Sequence, residues 1–397
     1  MSTSSFKTLL IMRVCNIIFS ILTIFSFEIF GIEKELVIPV LNKEKIYKKK
    51  SLEITYINKY IVLETTKNVL IDNDAHIAFA SNDLVIITNK KSGDIFLFNS
   101  SGRVVSHFNR KERMGYSYLS FLAFDGRKNE IFVLDSFSKN IYVFSIDGKL
   151  LRTLKLPNNS NIEEIYNFND ELLLVYHLHL WGSVEINKPY FFVSKKDGKI
   201  VKSLNISIKD VNPSIITTQQ GKTVTSFRSG HYGIPENCKY GEDFILANKS
   251  SDTIYILKKD FTFTPLFTQT PSVFGERSTA VSVGLVTDRY LSLCIYPNDI
   301  NKAIQMKVKG KKVVPQYRFL IFDRKTGQFY EDVNKAELRV FKTDVPKDIT
   351  VELLDAYFLK SLLKSGKLSG ELKKIATNIN IEDNPVIEIK KLKQNGN

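Results

Sequence analysis

Few residues in this chain combine a reactive type with a spacing that could do chemistry. His177 and His179 alternate with Leu178 and Leu180, so on a strand both imidazoles project from one side. Two imidazoles at that spacing hold a metal only when a third ligand converges. The segment supplies none, so the expectation is no metal and no cofactor. Trp181, the single tryptophan, follows closely and offers an aromatic platform for stacking. A second segment, 296–317, carries Lys302, Lys307, Lys309, Lys311 and Lys312, a run able to attract an anionic group. His177, His179, Trp181, Lys307, Lys309, Lys311 and Lys312 are therefore the candidate ligand-binding residues, and no catalytic residue stands out.

Other motifs fall short. Gly221-Lys222-Thr223 has the end of a phosphate loop, but Ile216 stands where its first glycine is required. No G-x-S-x-G, H-E-x-x-H, calcium-loop or paired C-x-x-C pattern occurs. Asp125, Asp135 and Asp323 fall at strand ends and read as solvated turn residues. Beyond Cys15 there remain only Cys238 and Cys294, too few for a disulfide framework. Cys294 lies in the apolar run LSLCIY and reads as an inert buried thiol.

The elements that would position these residues come from an internal repeat. Residues 82–108 and 128–154 align without a gap at a shift of 46, bringing Ile95 onto Ile141, Phe98 onto Phe144 and Gly102 onto Gly148. Each copy is strand, polar turn, strand, glycine turn, strand, with the central strands apolar on both sides. Parts of the unit recur at 190–204, 244–257, 318–331 and 385–393. Repeats of 40–50 residues holding four short strands read as propeller blades. Six units result, at about 76–109, 116–157, 162–206, 222–267, 280–333 and 337–393. The last lacks a fourth strand, and ITYINKYIVLE (54–64) is left over, so it is expected to close the ring. The predicted fold is all-β: one six-bladed β-propeller of four-stranded blades over 54–393. A short helical insertion at 354–379 follows from Leu354, Phe358, Leu362 and then Leu368, Leu372, Ile375, Ile379 at helical spacing.

These units resemble the six-bladed β-propeller family, with NHL-like repeats, of exported and often lipid-anchored proteins of Gram-negative gut anaerobes. The resemblance covers about 54–393. It rests on IVLETT (61–66), S-x-N-I-Y-V-F with S-I-D-G-K (138–149), S-D-T-I-Y (251–255), L-L-D-A-Y (353–357) and I-E-D-N-P-V (381–386). Where that family has an acidic, glycine- and proline-rich stretch between its first two blades, this chain has NRKERMGYSY (109–118), and it lacks the lipid-attachment cysteine. The resemblance implies a fold and a compartment rather than a reaction.

Residues 1–31 read as a signal peptide, with Lys7 and Arg13 before the apolar run Val14 to Phe27, and 32–53 as a lysine-rich flexible leader. An exported, periplasmic, cell-surface or secreted protein follows, touching the membrane only if the first segment stays uncleaved. The formal charge of +14 bears on partners rather than fold. The second-to-third-strand connections of the third, fifth and sixth blades (177–189, 296–317 and the helices) are long and fall on one face. The expected function is therefore a monomeric binding or scaffolding propeller. Its expected partner is a protein, peptide or saccharide, anionic ones included, and not nucleic acid. The alternative is a metal-dependent, lactonase-like hydrolase or lyase with its site in the central channel.

Overall fold

The computed structural model describes residues 37–51, 55–72, 74–111, 115–157, 162–177, 188–206, 208, 215–220, 223–228, 237–275, 278–298, 317–333, 344–346 and 348–393. Two compact units divide at Ile38, and the account below concerns the second, from Pro39. Residues 1–31, read from the sequence as a signal peptide, lie outside the described residues.

From Pro39 onward the chain is a ring of six blades. Blade one is Ala75–Ala80, Leu84–Asn89, Asp94–Asn99 and Val104–Asn109; blade two is Phe121–Asp125, Glu130–Asp135, Asn140–Ser145 and Leu150–Lys155. Blade three is Ile162–Asn167, Leu172–His177, Tyr190–Ser194 and Ile200–Ser203; blade four is Asn237–Tyr240, Asp243–Leu246, Thr253–Leu257 and Phe263–Thr270. Blade five is Thr279–Val286, Tyr290–Pro297, Arg318–Asp323 and Gln328–Asp332. Blade six is represented among the described residues by Ile349–Leu354, Val386–Lys393 and Thr55–Val62.

The apolar runs explain the layering. Leu84–Asn89 and Glu130–Asp135 are buried along nearly their whole length, because each is sandwiched between neighbouring blades. The fourth strands Val104–Asn109 and Leu150–Lys155 alternate buried and exposed, as outer strands with one wet side must. No single core results. Apolar wedges fill the gaps between blades, one of them holding Phe121, Phe132, Tyr166, Phe168, Phe192 and Phe244 from blades two, three and four. Each such side chain contributes about 1.5–3 kcal/mol when removed from water.

The repeated glycine has a double constraint. Gly102 and Gly148 sit at φ +82° and +77° in the third-to-fourth-strand turns. A methyl group on Gly102 would overlap the Val62 carbonyl of blade six, and one on Gly148 the Phe108 ring of blade one. The turn therefore needs both the left-handed backbone and the missing side chain to press against the preceding blade. Blade six itself joins the two ends of the propeller: Val386–Lys393 pairs antiparallel with Thr55–Val62 from Val386↔Val62 to Lys393↔Thr55.

Three expectations need correction. Residues 40–50, read as part of the flexible leader at 32–53, are docked. Val40–Asn42 adds a parallel fifth strand to blade four and Lys49–Lys50 one to blade five. Leu41 is fully buried, and the Arg318 guanidinium grips the Lys43 and Lys45 carbonyls together with the Glu331 carboxylate. Lys43 donates to the Thr279 carbonyl at 2.5 Å, and burial pulls its amine down to about 8, against the opposing charge of Asp252.

The fourth unit, read as 222–267, does not start with its first blade strand at 223–228. Ile215–Gln220 and Thr223–Arg228 form a separate two-stranded hairpin, and the blade begins at Asn237.

Asp125, Asp135 and Asp323 are buried rather than solvated. Asp135 accepts from Ser117 N–H and Oγ at 2.7 and 2.8 Å and from the N–H groups of Phe137 and Ser138. Asp125 takes the Lys195 ammonium at 2.5 Å, tying blade two to blade three. Asp323 accepts from Lys325 N–H and from Arg289. A turn carboxylate facing a neighbouring blade is worth more as a staple than as a solvated charge, because buried donors otherwise go unpaired.

Candidate functional site

An up-and-down blade puts its first and third turns on one face of the ring, and its second turn and the crossover to the next blade on the other. The first face is sealed by the tight glycine turns just described. The second, here the upper face, carries the longer connections.

His177 ends the second strand of blade three, opposite Ile162, and is fully buried, its N–H donated to the Pro189 carbonyl at 2.8 Å. Its ring therefore belongs to the interior and not to the surface of the face. His179, Trp181, Lys307, Lys309, Lys311 and Lys312 lie outside the described residues.

On the described part of the upper face, exposed aromatic side chains and a cleft lie in blades one, two and six. In blade two, Phe137 at the tip of the second turn is 76% exposed and meets Tyr118 edge-on at 5.3 Å between centroids. In blade six two helices follow the strand Ile349–Leu354: α1, Ala356–Lys364, and α2, Gly370–Asn378. Asp355 caps α1 by accepting from Phe358 N–H at 2.9 Å. The apolar stripe of α1 is offset by one residue from the expected one. Ala356 and Leu359 are buried with Ala376 and Ile379, while Phe358 is 53% and Tyr357 66% exposed. Burial against α2 and Val386 selects the small Ala356 for the closest approach, which turns both aromatics outward.

Asn384 anchors the return from the helices. Its side-chain amide donates to the Glu64 and Val69 carbonyls, both at 2.8 Å, and accepts from Ile71 N–H at 2.8 Å. The I-E-D-N-P-V and IVLETT segments thereby hold each other, and Glu64 also receives Val104 N–H at 2.9 Å.

Between this anchor and the first strand of blade one lies a cleft of about 660 Å³. Asp72, Glu352, Asp355, Glu382 and Asp383 line it with His76, and among the described residues no lysine or arginine does. Tyr357 and Ile381 form its apolar edge. Asp72 accepts from Asp74 N–H at 3.0 Å and Asp383 from Asn380 N–H at 2.6 Å, so each carboxylate is pinned by its own stretch of backbone. His76 meets Thr88 Oγ1 at 3.1 Å. Sequence reading missed this cleft. Its one visible signal was acid in a basic chain, at E-D 382–383 and Asp355.

A second polar group lies inside the ring, where blades three and four meet. Glu164 accepts from Tyr166 OH and Asn237 Nδ2, each at 2.8 Å, and Tyr190 OH donates to Asn237 Oδ1 at 2.8 Å. Burial, together with the Glu164 charge, pushes the Cys238 thiol up to about 12 and the Tyr166 phenol well above its usual range. Both groups stay protonated, which suits a packing role better than a nucleophile's. Cys238 and Cys294 are free thiols, and burial raises Cys294 to about 11. Among the described residues, no three or more His, Cys, Asp or Glu side chains are grouped to share a metal ion. No helix among them is long and apolar enough to cross a membrane.

The architecture and its upper face define a six-bladed β-propeller. The chain belongs to the DUF5128 family, described as a 6-bladed beta-propeller, whose model matches residues 32–236. Among solved structures it is similar to a candidate exported protein of Bacteroides fragilis, at 18% identity and TM-score 0.60, over 89% of this chain and all of that one. A DUF4221 family member of Bacteroides vulgatus shares 7% identity at TM-score 0.43, over 87% of this chain and all of that one. A virginiamycin B lyase of Staphylococcus aureus shares 10% identity at TM-score 0.37, over 84% and 99% of the two chains. No curated protein matches the sequence.

Proposed function

We propose that this chain is an exported binding or scaffolding propeller that engages a protein, peptide or saccharide through the loops of its upper face. The asymmetry between its two faces carries the reading. On the lower face, glycine turns are consumed in blade-to-blade contact at Gly102 and Gly148. On the upper face the connections are free to vary, and they hold the cleft, the exposed Phe137 against half-buried Tyr118, and the outward Tyr357 and Phe358. Rigid scaffolds usually carry function on such loops, and a cleft of this size falls in the ~300–1,000 Å³ range of ligand pockets. The similarity to a candidate exported protein and the reading of 1–31 as a signal peptide support the compartment.

The test is ligand screening of the purified chain against peptide and oligosaccharide arrays, repeated with Trp181→Ala and with Lys309, Lys311 and Lys312 changed to Gln. Trp181→Ala is expected to weaken binding by on the order of a few kcal/mol, with the melting temperature unchanged. The lysine variant should lose less, and its deficit should vanish at high salt. Ligand contacts mapped to the lower face would overturn the reading. Stoichiometric metal in the purified chain, with turnover of a lactone or ester, would replace it by the hydrolase or lyase alternative.

A further inference from the structure

The cleft between blades one and six combines three properties that select one kind of occupant. It is a cavity of about 660 Å³, large enough for several side chains. Its outer edge is apolar and exposed: Tyr357 and Ile381, which line it, are 66% and 51% exposed. Its wall is anionic, with five carboxylates and, among the described residues, no lysine or arginine lining it, on a chain whose formal charge is +14.

The arrangement of the carboxylates narrows the occupant further. Asp72, Asp355 and Asp383 each accept a backbone N–H from their own turn or helix end. They are held apart along the cleft instead of converging on a point, and a compact divalent cation needs oxygens converging at ~2–2.6 Å. A neutral saccharide donates hydroxyls to carboxylates but leaves their like charges unneutralised, and an acidic one is repelled. An extended chain with cationic side chains meets the spread charges one by one, while its apolar side chains lie on Tyr357 and Ile381. The remainder of the protein is basic, so attraction works only within about a Debye length of the cleft, ~8 Å at physiological ionic strength.

We propose that this cleft seats an extended segment of a partner protein bearing lysine or arginine, with the carboxylates pairing its cations and the aromatic rim covering its apolar side chains. This rests on the binding reading above and names the partner class for one part of the upper face.

Isothermal titration of the full chain with a blocked peptide of alternating Lys and Leu tests it. The comparison ligands are the same peptide with its lysines acetylated and a Glu–Leu counterpart. Wild type should bind the Lys–Leu peptide, and acetylation should cost at least tenfold. Glu382→Gln with Asp72→Asn should cost a similar factor without lowering the melting temperature, because Glu382 caps no helix or turn and the amide oxygen left by Asp72→Asn still accepts from Asp74 N–H. Equal binding by wild type and the double variant, or indifference to acetylation, overturns the inference. So does preference for the Glu–Leu peptide or a saccharide on the upper face, but that result leaves the binding reading standing. Self-association of the wild type that the double variant abolishes would make the occupant a second copy and also overturn it. Ligand contacts confined to the lower face would bring down the binding reading as well.

Discussion

Blades two and six are both antiparallel sheets and have opposite origins. Blade two is one continuous stretch, Phe121 to Lys155, with each strand paired to the next. Its second turn is a four-residue tip stapled by Asp135. Blade six takes Thr55–Val62 from one end of the propeller and Val386–Lys393 from the other, and its second turn is replaced by α1 and α2. Blade two stabilises itself by local contacts and leaves almost no room for a ligand. Blade six depends on pairing between distant segments, and the space left beside its helices is the cleft. The position where the ring closes is thus also where, among the described residues, the upper-face connection is longest.

The largest expected effect comes from cutting that distant pairing. Removal of 386–393 strips Thr55–Val62 of its partner and opens the apolar wedge around Ile61, Ile77 and Ile387. The truncated chain should lose its cooperative thermal transition altogether. A single transition at an unchanged temperature would break the comparison, since blade six would then be dispensable.

Next in size is a pair of glycine substitutions. Gly148→Ala in blade two combines a positive φ with overlap against the Phe108 ring, and should cost ~3–5 kcal/mol. Gly366→Ala after α1 has φ +70° but open space around it, and should cost ~1–2 kcal/mol. Chemical denaturation of both variants reads the difference. Equal losses would mean that blade-to-blade contact adds nothing beyond backbone conformation.

The smallest effect sharpens the account of blade two. Burial acts to raise the Asp135 carboxyl, but the donors of Ser117 and Ser138 outweigh it and hold it below the usual range. With the folded value below an unfolded value of ~3.9, its contribution is complete above that value and fades as pH falls through the folded one. The melting temperature should therefore stay level from neutral pH to about 5 and then drop. Asp135→Asn replaces one accepting oxygen by an amide that cannot take the Ser117 donors. It should cost ~1.5–3 kcal/mol at pH 7 and flatten the acid limb. An unaltered acid limb would assign that slope to other carboxylates.

The same contrast governs what could be read from the sequence. Blades one and two were legible because their constraints are local and repeated: the shift of 46 carries Gly102 onto Gly148 and apolar run onto apolar run. Blade four was misplaced because Thr223–Arg228 has a strand-like pattern, whereas the true first strand, Asn237–Tyr240, is four residues without an apolar run. Order in 40–50 was invisible. Lysine-rich sequence looks solvated, and the groups that fix it, led by Arg318, lie more than two hundred residues away. In the helical insertion the spacing located both helices but misassigned Phe358, since a small residue at the tightest contact can outrank a large one. The upper face could be anticipated from connection lengths alone. The cleft could not, because Asp72, Glu352 and Glu382 come from three separated segments and meet only after the ring has formed.

The edge strands Val40–Asn42 and Lys49–Lys50 and the closing strand Thr55–Val62 dock on blades four, five and six. All their partners are made later than they are. At ~5–20 residues per second, translation from Val62 to Lys393 takes roughly 20–60 seconds. For that interval Thr55–Val62 has no native mate and stands as an open edge that any other strand could capture. Lys48, Lys49 and Lys50 lie just before it. Charged residues beside an exposed strand oppose wrong pairing. A lysine run in this place is suited to guard the edge until its partner is made. Only afterwards does Lys50 settle between the Tyr290 and Tyr330 rings, where its charge is no longer needed to repel.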